Sequence, residues 1–253
     1  MVSFDELLGQ FSVGENLVNI KINDDFDFSC KDQTFLIKSG SMLCRGEKDS
    51  RTGVRATQTF GKHDPIGFSE AIAAREMKLE FKPLTDLVLV RFDAENLKKQ
   101  VNDANIFAKT IIKYSLGRIF LLKRNANNFA FEDDFLARKD KISARVKFER
   151  DQVIFSAGSD SRNMYFIERG EIAIVSKGDK TVARLSGGEC FGESALLSQR
   201  PRNFGAISKT DSILLMIEES VVDKEIRKEP PLVQLTILLL LKRLELMNKL
   251  RMV

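Results

Sequence analysis

A chain of 253 residues exceeds one minimal domain and suits two small ones. Hydrophobic residues at 43% and charged residues at 30% exclude extended disorder and support packed cores. The net charge of +4, 40 basic against 36 acidic residues, is dispersed along the chain and indicates no nucleic-acid surface.

From the N-terminus, Met1-Val2-Ser3-Phe4-Asp5-Glu6 carries acids where a signal peptide would carry basic residues, which points to a cytoplasmic protein. Ser3 and Glu6 have capping-box spacing and predict a short entry helix. Thr85-Asp86-Leu87-Val88-Leu89-Val90-Arg91-Phe92 then returns as Thr210-Asp211-Ser212-Ile213-Leu214-Leu215-Met216-Ile217, a shift of 125 (210 minus 85). In that register Gly67 falls on Gly192 and Arg118 on Arg243. Upstream, Phe35 to Gly40 resembles Tyr165 to Gly170 at a shift of 130 (165 minus 35), so about five residues are extra in the first copy, in a hairpin near Arg45 to Gly53.

Two copies of one domain therefore make up the chain, 1–127 and 128–253, with a boundary near Asn125 to Asn128. Each is expected to open with a helix, which in the second copy covers Phe131 to Ala144. Short strands follow, at Val146 to Phe148, Val153 to Phe155, Met164 to Ile167 and Glu171 to Val175, separated by Gly, Ser and Asp. A helix pair closes each copy: Asp93 to Val101 with Ile106 to Arg124, and Glu218 to Lys228 with Leu232 to Met252, the last two split by Pro230 and Pro231. Leu235 to Leu241 is far shorter than the roughly 20 residues needed to span a bilayer, so no membrane contact is expected.

Cys30, Cys44, Cys190 and the single His63 form neither a C-x-x-C pair nor a metal-ligand spacing, and His63 reads as a loop residue. One histidine excludes most triads, and no Walker loop or carboxylate pair is present. No enzyme, catalytic residue, metal or cofactor is expected.

The informative stretch is Gly187-Gly188-Glu189-Cys190-Phe191-Gly192-Glu193-Ser194-Ala195-Leu196-Leu197, ending in Pro201-Arg202 nine positions after Glu193. With Phe166-Ile167-Glu168-Arg169-Gly170-Glu171-Ile172 before it, it resembles the phosphate-binding cassette of the cyclic nucleotide-binding family, which includes protein kinase A regulatory subunits and the catabolite activator protein. The resemblance covers the second copy. It implies an α+β, mainly β fold: two tandem cyclic-nucleotide-binding β-rolls, of the double-stranded β-helix or jelly-roll type, each flanked by helices.

It also implies a division of labour at the site. Gly192 would let the backbone approach the sugar, and a short helix would aim the N–H groups of Ser194 and Ala195 at the phosphate. Arg202 would pair with the exocyclic oxygens, and Glu193 would accept the ribose 2′-hydroxyl. Asn203 joins this ligand-binding set, although Asn203 and Phe204 stand where the family usually has small residues. The Thr or Ser that favours cGMP is absent, so the expected ligand is cAMP ahead of cGMP. In the first copy Phe68 falls opposite Glu193, Glu70 opposite Ala195 and Met77 opposite Arg202. An anion then stands where phosphate should bind, and the pocket is expected to be filled by Phe68 and Met77.

Three kinds of protein fit these residues. One is a cyclic-nucleotide sensor acting as a regulatory or adapter protein, with an unidentified protein partner and a signal passed through the closing helices. The others are a nucleotide-silent interaction scaffold and an atypical transcription regulator. Leu232 to Leu250 is apolar around more of its circumference than one core face needs, so it should meet another helix. Phe107 to Leu122 is one candidate, and the same helix of a second molecule, giving a homodimer, is the other.

Overall fold

A computed structural model describes residues 4–11, 16–28, 32–48, 55–120, 143–192 and 201–251. Helix α1 (Phe4–Leu8) leads to strands β1 (Leu17–Ile20), β2 (Gln33–Ser39), β3 (Met42–Lys48), β4 (Arg55–Phe60) and β5 (Pro65–Ile66). Helix α2 (Phe68–Ala73), strands β6 (Glu80–Pro83) and β7 (Leu87–Asp93), and helices α3 (Ala94–Asp103) and α4 (Ile106–Ile119) complete the first series. The second series runs β8 (Ala144–Phe148), β9 (Val153–Phe155), β10 (Met164–Arg169), β11 (Glu171–Val175), β12 (Thr181–Ser186), β13 (Cys190–Phe191), β14 (Gly205–Ser208) and β15 (Ser212–Ile217). Helices α5 (Glu219–Ile226) and α6 (Pro231–Arg251) end it. The lead-in helix expected at Phe131 to Ala144 falls almost wholly outside the described residues, and Ala144 itself opens β8.

Both series fold into mainly β rolls of antiparallel sheets. The first has orders β1-β7-β2-β5 and β4-β3-β6; the second has β13-β10-β15-β8 and β12-β11-β14-β9. Central strands β2 and β10 carry four consecutive buried residues, Thr34 to Ile37 and Met164 to Ile167. Such runs belong to strands covered on both faces.

The repeat survives to the level of single hydrogen bonds. Phe35 faces Arg91, and Tyr165 faces Met216, which reproduces the shifts of 130 (165 minus 35) and 125 (216 minus 91). The ladder slips between Ile37 and Ser39 in one roll and between Ile167 and Arg169 in the other. The two registers agree as far as Cys44↔Gln58 and Ile174↔Ala183 and part beyond those pairs, in the β3–β4 hairpin. After each slip a left-handed glycine turns the chain, Gly40 at φ 92° and Gly170 at φ 110°. Thr85 Oγ1 accepts from Ser41 N at 2.9 Å, and Thr210 Oγ1 from Glu171 N at 3.0 Å. These corners fix which side chains face inward, because a one-residue slip would turn every one of them over.

The core of the second roll joins Phe155, Tyr165, Ile167, Ile172, Ile174, Leu185, Phe191, Ala206 and Leu214. Tyr165 and Phe191 stack with centroids 5.2 Å apart, and Phe155 lies 5.9 Å from both. Ring pairs of this kind contribute about 0.5–1.5 kcal/mol beyond area burial.

The described residues fall into two compact units, one from Val2–Asn105, Ser115–Leu121 and Glu229–Val253, the other from Ile106–Tyr114 and Leu122–Lys228. The closing helices therefore do not follow the order of the chain. Tyr114 on α4 meets Phe166 of the second roll edge-on at 6.1 Å. Helix α6 packs on α1, α2, α3, β4 and β5 of the first roll. Much of the Leu232 to Leu250 surface is thus covered by the first roll, in the unit that also holds Ser115–Leu121 of the candidate helix Phe107 to Leu122. Leu235, Ile237, Leu239 and Leu240 are fully buried within the chain, as a helix apolar on all sides requires.

A Cβ added at Gly170 would lie 2.1 Å from Ser212 Oγ and 2.8 Å from its Cα, whereas one at Gly158, also left-handed, meets nothing within 4 Å. Gly158→Ala should cost only the left-handed penalty, about 1–2 kcal/mol, and Gly170→Ala clearly more. Urea unfolding followed by tyrosine emission measures both, since Trp is absent and both tyrosines, Tyr114 and Tyr165, belong to the second roll's unit.

Candidate functional site

In the second roll, β13 delivers the chain to Gly192, whose φ of 86° is reached without strain only by glycine. Arg202 returns to the same place from the far side of the cassette and is 4% exposed. Its Nη1 donates to Gly192 O at 2.7 Å, and its Nη2 donates to Asn163 O. The guanidinium carbon lies 4.1 Å from the centre of the Phe155 ring. Backbone bonds fix the residue as well: Arg202 N donates to Ser159 O at 2.9 Å, and Gly158 N donates to Arg202 O at 2.7 Å. A planar fork, a carbonyl at each tip and an aromatic face beneath it form a rigid cationic seat.

Of the residues expected at this site, Gly192 and Arg202 are brought into direct contact. Asn203 is exposed beside them. Glu193, Ser194 and Ala195 lie outside the described residues. Phe204 is half-buried and packs against the hydrophobic core. Phe155 and Asn163 were not singled out from sequence; Phe155 is read there only as part of a strand, and no motif marks Asn163.

The corresponding slot of the first roll has opposite electrostatics. Gly67 keeps the left-handed turn at φ 80°. Phe68 is buried against Phe92, with centroids 5.5 Å apart. Ser69 Oγ donates to Glu70 Oε2 at 2.7 Å, while Glu70 Oε1 accepts from Arg243 Nη2 at 2.8 Å. Arg243, carried by α6, is 1% exposed and has its guanidinium carbon 5.3 Å from the Phe60 ring centre. Met77 Sδ is 4.0 Å from Arg243 Nη2. Phe68 is buried as expected, but the pocket is not filled: Met77, Gly67 and Glu70 line an open cavity of about 510 Å³, and Arg243 pairs with Glu70.

Burial pushes the Cys44 thiol up to about 11, with Arg243 pulling it down and Glu70 raising it further. His63 occupies the β4–β5 turn at φ 68°, matching Gly188 at φ 80° in the second roll. It stacks on Phe4 at 5.1 Å with Nε2 3.2 Å from Asp5 Oδ1, and its pKa is held below the usual imidazole value by burial. Among the described residues no helix is long and apolar enough to cross a membrane.

A family model for the cyclic nucleotide-binding domain matches residues 145–229. A cAMP/cGMP-dependent 3′,5′-cAMP/cGMP phosphodiesterase B from Dictyostelium discoideum is 36% identical over 94 residues, 34% of this chain and 9% of that protein. A cAMP-dependent protein kinase regulatory subunit from Debaryomyces hansenii is 29% identical over 112 residues, 39% of this chain and 25% of the relative. Among solved structures, the EAL enzyme Bd1971 in its cAMP-bound form is 32% identical, covering 40% of this chain and 28% of that one, with a TM-score of 0.37. The chain thus spans a quarter or less of the length of the two curated relatives. The roll at 145–229 belongs to the cyclic nucleotide-binding domain family. The first roll repeats its four-stranded sheet and three strands of its other sheet, with the same central ladder registers, so the two rolls share one fold.

The Arg202 seat is structural before any ligand arrives. Arg202→Met would leave the Gly192 and Asn163 carbonyls without their donor, at about 1–3 kcal/mol each when buried. We expect the second roll's unfolding midpoint to fall measurably in nucleotide-free protein. Gly192→Ala should act likewise, since its Cβ would stand 2.8 Å from Asn163 O and 3.1 Å from Arg202 Nη1.

Proposed function

We propose that this chain, divided into domains at 1–127 and 128–253, is a cyclic-nucleotide-sensing regulatory or adapter protein that binds one cAMP in its second roll. The observation that carries this reading is the buried contact of Arg202 Nη1 with Gly192 O at 2.7 Å, which joins the two ends of the cassette. Around it, Arg202 pairs with the exocyclic phosphate oxygens, the N–H groups of Ser194 and Ala195 meet the same anion, and Glu193 takes the ribose 2′-hydroxyl. Asn203 borders the entrance. Binding without chemistry suits a chain whose single histidine lies in the β4–β5 turn against Phe4 and Asp5. Occupancy is read out through the closing helices, since α5 and α6 follow directly from the last strand of this roll.

Isothermal titration with cAMP and cGMP tests this. One ligand per chain is expected, with cAMP the tighter, and Arg202→Ala should weaken binding by one to two decades, the equivalent of about 1.5–3 kcal/mol for a charged hydrogen bond. Glu193→Gln should bind cAMP and 2′-deoxy-cAMP alike, while the parent protein prefers cAMP. Absence of both heat and thermal stabilisation with either nucleotide would overturn the sensor reading in favour of an interaction scaffold.

A further inference from the structure

Arg243 is the most deeply buried cation among the described residues, at 1% exposure. Each of its neighbours has a sequence counterpart in the second roll. Glu70 corresponds to Ala195 (70 plus 125), Met77 to Arg202 (77 plus 125), Phe60 to Leu185 (60 plus 125) and Cys44 to Ile174 (44 plus 130). Arg243 therefore sits inside the first roll against β3, β4 and α2, at positions whose counterparts Leu185 and Ile174 belong to the apolar core of the second roll. Next to it, Lys242 Nζ lies 3.0 Å from Asp64 Oδ1 and donates to Lys62 O at 2.9 Å. Two neighbouring cations of one apolar helix are thus met by two acids of the β5–α2 region. Asp64 has an acidic counterpart in Glu189, but Glu70 replaces an alanine.

We propose that the first roll is a binding site for a cation instead of an anion, its ligand being the Arg243 guanidinium of the chain's own last helix, so that Glu70 and Arg243 together fix where that helix seats. A carboxylate at the position of Ala195 repels phosphate and attracts a guanidinium. Burying that pair is costly, and Arg243 Nε and Nη1 find no hydrogen-bond partner among the described residues. A greasy side chain at residue 243 would avoid the cost entirely. What the pair supplies is selection: only an arginine-bearing segment, seated in one register, neutralises Glu70. The inference concerns the first roll alone and does not depend on nucleotide binding by the second.

Cys44 is the reporter, because it is fully buried beside Arg243 and Glu70 and its raised pKa keeps it from reacting until the slot opens. The full-length protein would be labelled with iodoacetamide at pH 8 and the rates at Cys44 and Cys190 read by peptide mass spectrometry. Glu70→Gln and Arg243→Met should each raise the Cys44 rate by roughly tenfold or more, the Glu70→Gln/Arg243→Met protein should label more slowly than either, and Cys190 should stay unchanged. Single variants that label at the parent rate, or a double variant whose acceleration is the product of the two, would overturn the proposal. Should a single variant unfold outright, Cys190 will label in step with Cys44. The double variant then decides: folded with Cys44 protected supports the pair, and unfolded like its parents refutes it.

Discussion

Everything at the second roll's site depends on one guanidinium that spans two backbone carbonyls. Gly192 follows the short strand β13, and Asn163 precedes the central strand β10, so both carbonyls stand just outside the paired residues. Arg202 gives both a donor and lays its plane on Phe155, which belongs to the aromatic core. The charge is thereby held at a fixed height above the core before any anion approaches. Pre-organisation of this kind is what allows a cation to bind a diffuse anion without first giving up its own rotamer freedom. Gly192 is required twice over, by its left-handed backbone and by the space that Arg202 Nη1 takes up beside it.

The two rolls show how one backbone plan carries opposite electrostatics. Ladder register, bulge and threonine corners agree over the central strands, so the difference in charge lies in side chains. The second roll encloses a cation of its own in Arg202; the first has Met77 there, places an acid at Glu70, and takes its cation from α6. In the first roll the cation meets a carboxylate, Glu70; in the second it meets two carbonyls and an aromatic face. Where the second roll keeps a glycine at φ 80°, the first has His63 at φ 68°, stacked on Phe4 beside Asp5. The strain of a left-handed non-glycine residue is compensated there by contacts with the entry helix.

Much of this was legible in the sequence because it rests on short-range signals. The shifts of 125 and 130 reappear as hydrogen-bond registers, and the Gly67 to Gly192 match reappears as two left-handed turns. Those features depend on turn chemistry and alternation, which act over a few residues. Gly192 and Arg202 came together because the cassette is nearly contiguous. What was not legible was the destination of α6. Uniform hydrophobicity from Leu232 to Leu246 says that the helix is covered and says nothing about the surface that covers it. The useful signal was the pairing of Glu70 with Arg243, an acid and a base 173 positions apart, each out of character for its surroundings.

That pairing also explains why a charge persists in such a helix. A helix of leucines and isoleucines buries nearly as much area after rotating by 100° or sliding by a turn, so hydrophobic burial alone leaves its seat poorly defined. Arg243 breaks the degeneracy. Any shift that withdraws it from Glu70 leaves two uncompensated charges out of water, at several kcal/mol each, whereas the seated pair forfeits far less. Lys242 and Asp64 repeat the constraint one residue earlier and partly in solvent, where an ion pair steers more than it stabilises. Stability of α6 therefore comes from its leucines, and its position comes from two cations. A polar residue that lowers stability while fixing register does the same work at a single buried position of a coiled coil.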